Sequence, residues 1–337
     1  MSKTALITGI TGQDGSYLAE FLVNKGYKVY GLVRRTSNDP LTRIENLCLQ
    51  NKVTILHGNL RDLNTVRNAM EKARPDEVYN LAAQSHVGIS FECPEETEEV
   101  DYYGVGRIVN EAIRINPKVK IYQASTSEMF GGAKPPQNEN TPFNPLSPYA
   151  EAKLRAHEDF VKGYRNKGYF VCSGILFNHE SPRRGKNFVT RKITYSLAKI
   201  KLGLQDCLEL GHLDTKRDWG FAGDYVEAMW LMLQQDRPED FIIGTGQSHS
   251  VREFAEIAAT ELGIKLHWEG EGINEVGKDE NGKVIVKVNE KFYRPTDPFY
   301  LLADPSKAIK VLGWKPRVDF RALIKMMVTE DLKALKS

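Results

Sequence analysis

Tyr149 and Lys153 stand four residues apart in the run Ser147-Pro148-Tyr149-Ala150-Glu151-Ala152-Lys153. On a helix this spacing puts both side chains on one face, one turn apart. A nearby ammonium favours the phenolate, which predicts a Tyr149 pKa below the ordinary ~10. Such a tyrosine accepts a hydroxyl proton while hydride leaves the same carbon. The pair recurs by chance in many chains, so its meaning depends on what precedes it. Ser125-Thr126-Ser127-Glu128 ends an apolar stretch, and Thr126 lies 23 residues before Tyr149. A hydroxyl there can hydrogen-bond the alcohol being oxidised. Glu128 adds a carboxylate that a plain alcohol dehydrogenase does not need but that removal of an acidic C–H proton does. Its alternative is a structural carboxylate on a loop.

Gly9-Ile10-Thr11-Gly12-Gln13-Asp14-Gly15 follows an apolar run and precedes a helical pattern. Glycines there let backbone N–H groups approach a pyrophosphate at a helix N-terminus. The Gly-x-x-Gly-x-x-Gly spacing is one residue wider than the common dinucleotide fingerprint. Arg34 and Arg35 end the next apolar run, where an NAD site would carry an acid. Two guanidiniums there suit a 2′-phosphate, which predicts NADP. Asp62-Leu63, after the third run, sits where such folds contact adenine; Asp62 equally suits a helix cap.

The residues that carry these groups need a parallel sheet to bring them to one rim. Strands are predicted at 4–8, 28–33, 53–56, 77–81, 120–124, 170–176 and 241–243, with a helix over 17–25 and further helical stretches between strands. The fold class is α/β: a Rossmann-type doubly wound parallel sheet with a smaller C-terminal α/β substrate-binding domain. The cofactor domain is placed at 1–177 plus 216–246, and the substrate domain at 178–215 plus 247–330. The polar stretch 270–291 holds Asn281-Gly282 before Val284-Ile285-Val286, either a hairpin turn or a surface excursion.

The chain has 337 residues, enough for one large or two joined domains. Lys+Arg exceed Asp+Glu by 46 − 44 = 2, which excludes an acidic tail and offers no composition argument for nucleic acid. Apolar runs fall well short of the ~18 residues of a membrane span. Met1-Ser2-Lys3 leads straight into the first strand, unlike a signal peptide. Cys48, Cys93, Cys172 and Cys207 fit neither a zinc set nor a disulfide framework, so no metal and a cytoplasmic location are expected.

The glycine loop, the hydroxyl residue and the Tyr/Lys pair together make the short-chain dehydrogenase pattern. Adding Glu128 and the long polar run Gly174-Ile-Leu-Phe-Asn-His-Glu-Ser-Pro-Arg-Arg-Gly185, the chain resembles the GDP-mannose 4,6-dehydratases of the extended branch. Matching stretches are 8–17, 79–85, 122–131, 147–154, 174–185, 188–193, 216–220 and Arg294-Pro295. The resemblance implies an NADP-dependent carbon–oxygen lyase. Tyr149, assisted by Lys153, takes the C4 hydroxyl proton as hydride leaves C4 for NADP. Glu128 removes the acidified C5 proton, water leaves C6 with help from Thr126 and Glu128, and hydride returns to C6.

It also implies that Gly9, Thr11, Gly12, Gln13, Asp14, Gly15, Arg34, Arg35, Asp62 and Leu63 hold the cofactor, with Tyr149 and Lys153 also against it. Leu81, Ala82, Ala83, Gln84 and Ser85 line it, with Ser85 near the sugar. His179 and Arg184 reach the nicotinamide side, unless His179 is a core histidine. Asn178, Val189, Lys192, Arg217, Arg252 and Arg294 surround a GDP moiety, and Asp297 takes a ribose contact. A homodimer or homotetramer is implied, with the loop from Arg35 to Asn38 reaching a neighbouring subunit. Departures are Thr296-Asp297-Pro298, Ala303 in place of a glycine, and Glu151, Arg155, His157, Glu158 and Asp159 on the helix after Tyr149. The last group points to a changed subunit interface or sugar pocket. Alternative readings are the same dehydration of another GDP-sugar such as a GDP-manno-heptose, an NADP-dependent nucleotide-sugar reductase or epimerase, or a cofactor-sensing protein without turnover.

Overall fold

The computed structural model describes residues 2–37, 41–293 and 300–336. Its main sheet has seven parallel strands: β1 (Thr4–Thr8), β2 (Lys28–Val33), β3 (Val53–His57), β4 (Glu77–Asn80), β5 (Lys120–Thr126), β6 (Val171–Leu176) and an edge strand, Phe241–Ile243. From that edge the order is β6, β5, β4, β1, β2, β3. The chain runs outward from β1 to β3, then crosses back to β4 beside β1. This reversal opens a crevice beyond the strand C-termini, where ligands of such sheets lie. Helices cover both faces, so strands such as Ala5-Leu6-Ile7 and Val171–Leu176 are buried throughout and read as continuous apolar runs.

Helix α1 spans Gln13–Asn24, four residues earlier than its apolar period suggests. Gly12 caps it without a side chain, so no capping residue marks the start. The turn before it needs its glycines. Gly9 has φ +68°, and a Cβ there would lie 2.9 Å from the Ala82 nitrogen. A Cβ on Gly15 would lie 2.2 Å from the Gly9 carbonyl oxygen, so only glycine lets helix and strand meet.

A second core gathers the helices Val189–Lys201, Val251–Glu261 and Phe320–Lys336 against a four-stranded sheet. The Asn281-Gly282 dipeptide turns a hairpin between Val276–Lys278 and Val284–Val288. Gly282 takes φ +79°, and the Asp279 carboxylate accepts from the Asn281 and Lys283 N–H groups at 2.9 and 2.8 Å. Ile285, Val286 and Val288 are buried, so the polar stretch is a core-forming hairpin and not a surface excursion. Trp219 packs in this core, whereas Ala308, Leu312 and Trp314 pack against the main sheet. Among the described residues, no helix is long and apolar enough to cross a membrane.

Candidate active site

A cleft of about 790 Å³ runs along the strand C-termini between the two cores. Gly9, Thr11, Gly12, Gln13, Asp14 and Gly15 form its floor at the α1 N-terminus. Leu81, Ala82, Ala83, Gln84 and Ser85 form the wall after β4. The Thr8 hydroxyl accepts from both the Leu81 and Ala82 N–H groups at 3.1 Å, which ties that wall to β1.

β5 delivers Thr126 and Glu128 to the cleft. The Thr126 hydroxyl accepts from the Glu128 N–H at 3.2 Å, capping the short turn Ser127–Phe130 and fixing Glu128 beside it. Opposite, Ser147 caps the helix Pro148–Ala156 by accepting from the Ala150 N–H at 3.1 Å, with Pro148 in the first turn. That helix carries Tyr149 and Lys153 on one face, with Lys153 Nζ 5.8 Å from the Tyr149 ring centre. Lys153 donates to the Ala124 carbonyl at 3.1 Å, and the Thr126 hydroxyl lies close enough to Tyr149 to favour its phenolate.

The electrostatics differ from the expectation that Lys153 lowers the Tyr149 pKa. Burial raises it, and the Asp101 and Glu128 carboxylates raise it further; the Thr126 hydroxyl and Arg184 only partly oppose them. Lys153 is itself lowered by burial, with Asp101 opposing.

His179 lines the cleft with both ring nitrogens engaged. Nδ1 meets the Phe177 carbonyl and Nε2 meets Asp14, each at 2.8 Å, and the ring stacks on Tyr225. Burial disfavours its cation, but the Asp14 carboxylate outweighs this and raises the pKa, while Asp14 is held below its usual range. His179 therefore pins its strand to the glycine loop, helped by Gln13, which donates to the His179 carbonyl at 3.0 Å. Arg184 lies 3.2 Å from Glu180 and stacks over Phe188.

Thr126, Glu128, Ser85, Asn178, Val189, Arg217 and Arg34 all line the cleft. Among the described residues, Arg35, Asp62, Leu63, Lys192 and Arg252 are off its wall. The Asp62 carboxylate caps the helix Leu63–Ala73, accepting from Asn64 and Thr65. The wall there is Gly58, Asn59, Leu60 and Arg61, immediately before Asp62 in the same loop. Arg252 is held by Glu275 and, at 3.0 Å, by Asp214, which commits it to carboxylates of its own domain. Lys192 sits over the ring of Phe292, a wall residue, and burial pushes its pKa down to about 8 despite Glu209. Arg294 and Asp297 lie outside the described residues.

The structure adds residues that spacing did not mark. Arg61 and Arg34 both approach Glu96, at 3.6 and 3.9 Å. His86 accepts from the Ile89 N–H at 3.2 Å and faces Phe188, and His212 stacks on Tyr293 at 3.8 Å. For His86 the available signal was its place directly after Ser85. The departures lie elsewhere. Arg155 pairs with Glu98, Lys162 with Glu158, and Asp159 accepts from Tyr102. None of Glu151, Arg155, His157, Glu158 or Asp159 lines the cleft, so they leave its shape to other residues. Among the described residues, no cluster of three His, Cys, Asp or Glu side chains is placed to hold a metal.

The sequence model of the family described as GDP-mannose 4,6 dehydratase matches residues 6–327. The chain belongs to the GDP-mannose 4,6-dehydratase family. It is 51% identical to GDP-mannose 4,6 dehydratase 2 of Caenorhabditis elegans, covering 99% of this chain and 90% of that one. It is 52% identical to the GDP-mannose 4,6 dehydratase of Cricetulus griseus, covering 99% and 93%. The fold is shared more widely. The dTDP-glucose 4,6-dehydratase of Bacillus anthracis, solved with NAD, superposes with a TM-score of 0.81 at 20% identity over 99% of this chain and 98% of that one.

Proposed function

We propose that this protein converts GDP-mannose to GDP-4-keto-6-deoxymannose with NADP as a retained cofactor. The observation that carries the reading is the convergence of Thr126, Glu128, Tyr149 and Lys153 on one cleft above a glycine cradle, in a chain of this family. The cradle fits a dinucleotide: side chains at Gly9 or Gly15 would fill the space against the backbone, and the α1 N-terminus faces the cleft. Gly9, Gly12, Thr11 and the 81–85 wall would hold the cofactor, which supplies the acceptor and later the donor of one hydride.

The chain's own residues do the rest. Tyr149 takes the C4 hydroxyl proton, and the buried Lys153 favours the phenolate as it forms. Thr126, beside Tyr149, orients the C4 oxygen. The C4 ketone acidifies C5, and Glu128 removes that proton and passes it to the departing C6 hydroxyl as water; when the hydride returns to C6, C5 would take a proton from solvent through Glu128. A cleft between two cores limits solvent access and holds base and ring in register. Arg217 and Asn178, both on the cleft wall, would take the GDP moiety. Incubation with GDP-mannose alone should give a product lighter by one water in mass spectrometry. An unchanged mass would reject the reading, and a need for added NADPH would favour a reductase.

Preference for NADP follows from Arg34 and Arg61, two guanidiniums converging on one carboxylate at the cleft rim. A 2′-phosphate would join them in place of Glu96. Arg34→Asp should weaken NADP about tenfold relative to NAD. A charge-assisted contact is worth about 1.5–3 kcal/mol, and exposure puts this one at the low end. Equal wild-type affinity for the two cofactors would exclude the assignment.

A homotetramer in the cytoplasm completes the reading, with the loop beginning at Arg35 contributing to assembly. Light scattering should give four subunits; a monomer active at high dilution would contradict it.

A further inference from the structure

Asp101 is wholly buried on the π-helical segment Glu99–Tyr103, which joins the helices Pro94–Glu98 and Gly104–Ile115 and packs against the helix Pro148–Ala156. One of its carboxylate oxygens accepts from the Gln84 N–H at 2.8 Å. The other is buried without a hydrogen-bond partner. A lone carboxylate in such a place is costly unless a cation offsets it. Lys153 is also buried, on the helix Pro148–Ala156 that packs against this segment, and its ammonium donates to the Ala124 carbonyl without a carboxylate within 4 Å among the described ion pairs. Of the other charged residues on these elements, Arg155 pairs with Glu98, Arg107 with Glu99, Glu96 with Arg34 and Arg61, and Glu111 with Arg67 and Arg114, while Glu95 and Glu151 are exposed.

We propose that Asp101 is the buried counter-charge of Lys153, a positioning residue that keeps the ammonium charged beneath Tyr149 and anchors the Gln84 wall of the cleft. Burial alone pulls Lys153 toward the neutral amine, and Asp101 is the group that resists it. The same burial pushes Asp101 up to about 6, with Lys153 and the Gln84 N–H pulling it back. Each group thus holds the other in its ionised form. Without an ammonium, the phenolate of Tyr149 would lose its stabilising charge and the first proton transfer would slow.

The test is titration of isotope-labelled lysine side chains by NMR, with the Lys153 signal identified by its loss in Lys153→Arg. Asp101→Asn keeps an acceptor for the Gln84 N–H and removes only the charge. Lys153 should then lose its proton at a pH about 1–3 units lower, the usual reach of an adjacent opposite charge. The alkaline limb of single-turnover hydride transfer should move down with it. A purely structural Asp101 would lower the rate without moving either titration, and an unmoved Lys153 overturns the proposal. If Asp101→Asn does not fold, the wild type decides. Its Lys153 signal should show a second step near 6, where Asp101 takes a proton, and a flat signal there overturns the proposal. The kinetic arm rests on the dehydratase reading, while the Lys153 titration does not, so the two can fail separately.

Discussion

Tyr149→Phe mixed with GDP-mannose shows no cofactor reduction and no dehydrated product. The substitution removes one oxygen from a ring that is already 7% exposed, so packing is kept. It deletes the group that accepts the C4 proton and its contact with the Thr126 hydroxyl. General base catalysis contributes about 10²–10⁴-fold, and the first step has no second group in this position. Affinities for GDP-mannose and NADP should stay within a few-fold, because the phenol is one contact among the many that line the cleft. The raised pKa of Tyr149 in this arrangement sharpens the expectation: the phenolate must be created in the reaction, with Lys153 close by. Turnover within about tenfold of wild type would remove Tyr149 from the chemistry.

Glu128→Gln gives the opposite partial result. Oxidation at C4 survives in part, so a single-turnover mixture shows the absorbance of reduced nicotinamide without dehydrated product. The backbone N–H of residue 128 remains bonded to the Thr126 hydroxyl, so the amide occupies the carboxylate's place. What disappears is the base for the C5 proton and the acid for the C6 hydroxyl. Overall turnover should fall by about 10²–10⁴-fold, and exchange of C5 deuterium with solvent should stop. Turnover within a few-fold of wild type would make Glu128 structural. The site would then lack the residue that separates it from an ordinary dehydrogenase.

The sheet was legible because its strands are buried on both faces and therefore read as apolar runs, Ala5-Leu6-Ile7 being the plainest. The Asn281-Gly282 turn was visible through its tolerance of positive φ. The start of α1 was hidden, since Gly12 offers no capping side chain and Gln13 and Asp14 face the cleft. Tyr149, Lys153, Thr126 and Glu128 were recognisable by type and spacing, because each sits at a strand end or a helix start that the pattern itself marks.

Tertiary pairings were not legible. Asp62 and Asn59 lie in one short loop, and only the capping bond to Asn64 tells which of them turns away from the cleft. Nothing in the spacing around Arg252 marks its pairing with Asp214 and Glu275, which lie 38 and 23 residues away in sequence. The Tyr149 pKa was misjudged for the same reason. The charge one helical turn away is a lysine, but the fold adds burial and the carboxylate of Asp101, a residue on another helix.

The most direct test of the central claim follows one atom through the reaction. GDP-mannose carrying deuterium at C4 is incubated with the purified protein and no added cofactor. A redox-neutral dehydration within one cleft predicts a product lighter by one water that retains the deuterium, now on C6. Loss of the label, a product that forms only with added reductant, or recovery of intact GDP-mannose would contradict it.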